Sequence, residues 1–150
     1  MVDNYDKFEQ ETSEFCNDLN CYLMETYGYK RQPAYLTPDN CIGANRKAFK
    51  IYLRCKPTQE VGWGVNTLVI AQIGFYKQRI GNGSSFLKFL VKMSAKYGFK
   101  NIGIEAAINE KIVNFAKKYG FVNYQRDSDW IVSIDVLRDC LERVGKRGPF

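Results

Sequence analysis

The 150-residue chain contains no histidine. Imidazole is the side chain that titrates near neutrality and the commonest transition-metal ligand, so Ser-His-Asp and Cys-His nucleophile systems and His-containing zinc sites are excluded. Proton transfer must fall to Glu, Asp, Tyr, Cys, Lys or water. No stretch approaches the roughly 18 consecutive apolar residues of a membrane helix. The acidic start Met-Val-Asp-Asn-Tyr-Asp has neither the basic flank nor the apolar run of a secretory signal. The expectation is a soluble, cytoplasmic protein with no membrane partner. Five cysteines (Cys16, Cys21, Cys41, Cys55 and Cys140) form no C-x-x-C pair and no secreted framework, so they read as free thiols, and no metal site is expected. Linkers, low-complexity tracts and long repeats are also missing.

Hydrophobic residues make up 45% of the chain and aromatics 15%, enough to build the core of one domain spanning 1–150. Net charge is +6, unevenly spread: the first 26 residues hold seven acids and one Lys, leaving 21 Lys and Arg against nine acids, net +12, in the remainder. Such a body suits a polyanion, whether a nucleotide cofactor, RNA or DNA, and equally a solvated basic face.

From Asn4 to Tyr27, Tyr5, Phe8, Thr12, Phe15, Leu19, Tyr22, Leu23 and Thr26 recur at spacings of three and four, the pattern of an amphipathic helix. Pro33, Pro38 and Asp39-Asn40 mark a loop. Ala48–Cys55 alternates as a half-buried strand, and Thr67–Tyr76 is a continuous apolar run that predicts a central strand covered on both faces. Phe86, Leu87, Phe89, Leu90, Met93 and Tyr97 then form a helical stripe, with Lys88, Lys92 and Lys96 opposite. Asn101–Ala107 is a short strand, Asn109 caps a helix running to Tyr119, and Trp130–Asp135 is a last strand before a terminal helix. Tyr27-Gly28-Tyr29, Tyr97-Gly98-Phe99 and Tyr119-Gly120-Phe121 each stand where a helical stripe stops, the place of a left-handed glycine cap. This order predicts an α/β domain with a mixed, mostly antiparallel sheet and helices on both faces.

Gln78-x-x-Gly81-x-Gly83 follows a strand and opens a helix, the setting in which backbone N–H groups converge on an anion. Glycines let a phosphate approach the amides, and Ser84 or Ser85 can add a hydroxyl. The loop lacks the Gly-Lys-Ser/Thr of a P-loop, and Phe86 stands where a dinucleotide fingerprint needs glycine or alanine. The strand-loop-helix-strand-helix series from Thr67 to Phe121 resembles the acyl-coenzyme A core of GNAT N-acetyltransferases, where Q/R-x-x-G-x-G/A grips the cofactor pyrophosphate. Ile104-Glu105-Ala106, Asn109 and Phe115-Ala116-Lys117-Lys118-Tyr119-Gly120-Phe121 are similar to that family's next strand, its Asn and its L-Y-x-x-x-G-F run. The resemblance covers about 55 residues.

The resemblance implies a GNAT-like sheet with splayed central strands and acetyl-coenzyme A as co-substrate, without a metal. It implies contacts to that molecule from Ile73, Phe75, Gln78, Arg79, Ile80, Gly81, Asn82, Gly83, Ser84, Asn109 and Phe115, with a backbone N–H near Ile73 on the acyl carbonyl. Glu105 matches the family's strand glutamate, the candidate general base, and Glu60 is a second. The family's tyrosine falls seven residues after Asn109, where this chain has Ala116; Tyr119 or Tyr124 would substitute, or the thiolate, with a pKa of about 8.5, would leave unprotonated. The implied activity is N-acetyl transfer by direct attack of a primary amine: a protein N-terminus, a lysine, a small amine or an aminoacyl group. Ala116 and the basic body keep open a catalytically weak or inactive module that binds a protein or nucleic acid, and a homodimer is also compatible. Lys88, Lys92 and Lys96, with no interleaved aromatics, read as a solvated face before a nucleic-acid stripe.

Overall fold

The structure, a computed structural model, describes residues 4–55, 62–64, 66–76 and 82–146. Four helices, α1 (Asn4–Tyr27), α2 (Asn82–Tyr97), α3 (Glu110–Lys118) and α4 (Ile134–Lys146), accompany seven strands. The strands are β1 (Ala34–Leu36), β2 (Cys41–Asn45), β3 (Phe49–Arg54), β4 (Thr67–Phe75), β5 (Asn101–Ile104), β6 (Val122–Tyr124) and β7 (Arg126–Ser133), in the spatial order β1-β2-β3-β4-β5-β7-β6. Among the described residues only β4 and β5 pair in parallel, joined through α2 as a β-α-β unit; every other neighbouring pair is antiparallel.

One face of the sheet carries Ile42, Phe49, Ile51, Leu53, Leu68, Ile70, Ile102, Ile104, Trp130 and Val132 into a core shared with Phe15, Leu19 and Leu23 of α1, Phe86, Leu87 and Leu90 of α2, Ala116 of α3 and Leu137 of α4. The apolar run at the start of β4 is buried on both sides, as its composition predicts: Thr67, Leu68, Val69 and Ile70 are all buried. On the second face the cover near Gly103 is Trp63, whose ring would lie 2.4 Å from a Cβ at that glycine. Tyr124 stacks on Trp63, with ring centroids 5.1 Å apart, and donates its hydroxyl to the Gly62 carbonyl at 2.8 Å.

The helix ends foreseen from aromatic-Gly-aromatic triplets are present. Gly28, Gly98 and Gly120 have φ of 73°, 81° and 85°, and Phe121 N–H reaches back to Ala116 C=O at 3.0 Å, closing α3 with a left-handed cap. Two stretches differ from the expectation. The segment predicted as loop around Pro38 is the β1–β2 hairpin, with Thr37–Asn40 as its turn; Gly43 and Ala44 gave little strand signal, yet Gly43 is the residue over which the Tyr35 ring lies, 2.7 Å from a would-be Cβ. The last strand starts at Arg126 and pairs with an additional edge strand, β6, whose length of three residues hid it.

α1 and α2 are joined by a T-shaped Phe15–Phe89 pair at 6.2 Å and a stacked Tyr22–Phe89 pair at 4.6 Å. Asp18 receives hydrogen bonds from Lys96 Nζ at 2.8 Å and Tyr97 Oη at 2.5 Å. Burial raises the Asp18 pKa, but those two hydrogen bonds outweigh it and leave the carboxyl below its ordinary value. A carboxyl depressed in the folded state stabilises above its unfolded pKa and loses that contribution as pH falls through its folded pKa. Asp18→Asn should therefore cost about 1–2 kcal/mol at pH 7, with the difference from the parent closing below about pH 4, as read by urea unfolding at several pH values.

Candidate active site

β4 and β5 pair from Thr67–Asn101 to Ile70–Ile104, and the ladder ends with Glu105 N–H donating to Ile70 C=O at 3.0 Å. There the strands part. β4 continues to Phe75 alongside β3, with its register shifting between Tyr52–Gln72 and Leu53–Ile70, so that Ala71 is the extra residue of a β-bulge. The bulge also reverses which side chains face the helices: Leu68 and Ile70 pack there before it, Ile73 and Phe75 after it. Beyond Ile70, β4 has a strand neighbour only on its β3 side, so its main-chain groups facing the gap have no ladder partner among the described residues.

The opposite wall is turned away by a non-glycine residue in the left-handed region: Ala106 has φ 54°. Asp129 holds it there. The Asp129 carboxylate accepts from Ala106 N–H at 3.0 Å and from Arg126 Nε at 2.8 Å, while Ala107 N–H donates to Ser128 C=O at 2.7 Å. Asp129 is only 5% exposed, so these bonds form in a low-dielectric setting that strengthens them. Successive amides of residues 105, 106 and 107 are thus bound to β4, to Asp129 and to Ser128.

Between these walls lies an open cleft of about 420 Å³, lined on the β4 side by Gln72, Ile73, Gly74 and Tyr76 and on the other by Glu105, Ala106, Asn109 and Ile112, with Lys50 beside them. Glu105 is bound through Oε2 to Arg54 Nε of β3 at 2.8 Å, and that hydrogen bond holds the guanidinium pKa above its ordinary value. The carboxylate remains 20% exposed at the cleft. A second, smaller cavity, of about 50 Å³, lies beside Phe99 and Tyr97.

Of the residues expected at the site, Ile73, Glu105 and Asn109 line the cleft together. Phe75 packs on the core beside Phe86. Asn82, Gly83 and Ser84 form the first turn of α2, which starts at the end of the sheet where β4 leaves β5. Gly83 has a packing reason of its own, since a Cβ there would meet the Phe115 ring of α3 at 2.5 Å. Asn109 caps α3, its Oδ1 accepting from Lys111 N–H at 2.8 Å. Gln78, Arg79, Ile80 and Gly81, like Glu60, lie outside the described residues. Tyr119 is not brought to Glu105: it is 3% exposed, packs edge-on against Phe115 at 5.1 Å, and does not line the cleft. Tyr124 spends its hydroxyl on Gly62. Ala116 is fully buried.

Lys50, Gln72 and Tyr76 were not expected here. Lys50 and Gln72 reach the cleft because the β3–β4 register sets Lys50 across from Gly74 and Tyr52 across from Gln72, and a long-range register has no local signal. Of the lysine stripe on α2, Lys88 and Lys92 are exposed and Lys96 is committed to Asp18. Among the described residues no cluster of Cys, Asp and Glu could hold a metal ion, and no helix is long and apolar enough to cross a membrane.

Among the described residues the mixed α/β sheet has a single parallel pair, which parts at a bulge with a helix beginning at the open end. The sequence matches no family model and no curated protein. Among solved structures the chain is similar to an acetyltransferase of the GNAT family from Listeria monocytogenes, at 10% identity over 87% of each chain with a TM-score of 0.46. It is also similar to AtaTR bound with acetyl-coenzyme A, at 15% identity over 79% of this chain and 81% of that one with a TM-score of 0.46. A third likeness is to AtaT complexed with acetyl-methionyl-tRNAfMet, at 13% identity over 79% and 84% with a TM-score of 0.44. Likeness at this level leaves the chemistry to the residues of this chain.

Proposed function

We propose that this chain is an acetyl-coenzyme A-dependent N-acetyltransferase whose acyl arm enters the gap between β4 and β5. The observation that carries this reading is the coincidence of the Ala71 bulge with the parting of the two parallel strands, which leaves one edge of β4 without a strand partner along the cleft among the described residues. An amide-bearing ligand can complete that edge as a strand would, and Gly74 keeps the wall low. The first turn of α2 offers further N–H donors to an anion at the same end of the sheet.

The thioester supplies an activated acyl carbon; the chain supplies position and proton transfer. A main-chain N–H near Ile73 faces the carbonyl oxygen and stabilises the charge that grows there during attack. Glu105, exposed to the cleft and fixed by Arg54, takes the proton from the attacking amine directly or through a water. With Ala116 in the tyrosine position and Tyr119 buried, the thiolate leaves unprotonated, or with Tyr76 as its donor from the β4 wall.

Acetyl-coenzyme A at a hundred-fold excess over its Kd should stabilise the protein by about 2.7 kcal/mol, a rise in Tm of roughly 5–10 °C. Free thiol should appear only when a suitable amine is added. The second reading, a catalytically weak or inactive module that binds a protein or nucleic acid, is favoured by the buried Ala116 and Tyr119 and predicts salt-sensitive binding of RNA or DNA with no thiol release from any amine. Absence of both the thermal shift and thiol release contradicts the acyltransferase reading and leaves the binding one.

A further inference from the structure

The two charged side chains that line the cleft are Lys50 and Glu105. They are not equivalent. Glu105 is matched by Arg54 at 2.8 Å, whereas Lys50 is in no ion pair among the described residues. Its cross-strand neighbours are Asn45 on β2 and, on the β4 side that faces the cleft, Gly74, which has no side chain to cover it. The free charge at the mouth of the cleft is therefore positive.

The surroundings add to it. The antiparallel order β1-β2-β3-β4 brings the segment before β1 and the β2–β3 turn to the same end of the sheet as the cleft. Those segments read Gly28-Tyr29-Lys30-Arg31-Gln32-Pro33 and Asn45-Arg46-Lys47-Ala48-Phe49-Lys50, five cations and no acid. Arg46 links them by donating to the Gln32 and Asn45 carbonyls at 3.4 and 3.1 Å, and Lys30, Arg31 and Lys47 are exposed. On the far side of the cleft Arg126 is offset by Asp129. A cationic amine such as a polyamine or a lysine-rich tail would meet this edge with repulsion.

We infer that the acceptor amine carries an anionic group, a carboxylate or a phosphate, that Lys50 receives. This deepens the acetyltransferase reading and rests on it. The chemistry has two sources, a small anionic amine or an amine borne on a nucleic acid, and distance separates them. Strands are about 4.8 Å apart, so Lys50 is one strand from the β4 wall and Lys30 and Arg31 about three, roughly 14 Å away. That exceeds the Debye length of about 8 Å at physiological salt, so a small anion feels Lys50 while an extended polyanion also uses the rim.

The test pairs amines that differ in charge: glycine with glycinamide, O-phosphoethanolamine with ethanolamine, and an RNA oligonucleotide ending in a primary amine with that amine alone, putrescine being the cationic control. Thiol release gives kcat/KM, and calorimetry with N-acetylglycine and N-acetyl-O-phosphoethanolamine gives anion binding without turnover. The anionic member of a pair should be favoured about ten-fold or more, through KM rather than kcat, and Lys50→Gln should remove that preference. A small-molecule source leaves Lys30→Gln/Arg31→Gln without effect; a nucleic-acid source makes that double variant and added salt weaken the RNA arm alone. Equal or better use of ethanolamine and putrescine, or unaltered anion preference and binding in Lys50→Gln, overturns the inference. Failure of the parent reading shows separately, as no thermal shift with acetyl-coenzyme A, and the calorimetric arm still decides whether Lys50 holds an anion.

Discussion

Glu105→Gln is expected to lower kcat with a good amine by about 10²-fold or more while leaving acetyl-coenzyme A binding unchanged. The carboxylate reaches the cleft from the residue at which the β4–β5 ladder ends, so it is positioned by backbone rather than by a flexible loop. Its Oε2 is held by Arg54, and a carboxylate keeps further lone pairs with which to accept a proton. Gln preserves shape and the hydrogen bond from Arg54 but cannot take the proton. Arg54→Gln separates fixing from chemistry: it frees Glu105 to rotate, and a loss of about ten-fold, smaller than for Glu105→Gln, is expected. Steady-state thiol release for both variants checks the order; equal rates for Glu105→Gln and the parent would remove Glu105 from the mechanism.

Asp129→Ala is expected to cost about 2–4 kcal/mol of stability and to lower kcat even at temperatures where the variant is fully folded. The buried carboxylate is the partner of the amide of a residue in a left-handed conformation, and Ala in that region carries about 1 kcal/mol or more of strain. Without Asp129, Ala106 is free to return toward the extended region, closing the gap by extending the β4–β5 ladder past Glu105. Ala106→Gly is the complementary variant, since glycine takes positive φ without strain. In the Asp129→Ala background it should recover part of the activity while adding little stability. Urea unfolding and turnover on the two single variants and the double variant measure this coupling.

Much of this arrangement was legible in the sequence. Periodicity marked α1 and α2, a continuous apolar run marked β4, and the aromatic-Gly-aromatic triplets marked three helix ends; Glu105 and Asn109, which the resemblance pointed to, both line the cleft. The rest depended on partners distant in sequence. Nothing local marks Ala71 as a bulge; it exists because two residues of β4 answer one step of β3. Asp129 lies 23 residues from the amide it binds, and in sequence it is one acid of the run Arg126-Asp127-Ser128-Asp129. Tyr119 fitted a helical count from Asn109, but the tight cap at Gly120 folds that end of α3 into the core, where Phe115 covers its ring. β1 and β2 escaped notice because small residues and two prolines outweighed a strand pattern that the sheet itself supplies.

The central claim is that an acyl-coenzyme A arm completes the free edge of β4, and amide chemical shifts on titration with acetyl-coenzyme A test it most directly. The largest changes should fall on Gln72 to Tyr76, on Glu105 to Asn109 and on the first turn of α2 at Asn82 to Ser84. Shifts confined to residues around Phe99 and Tyr97 at the smaller cavity, or none at all, would contradict it.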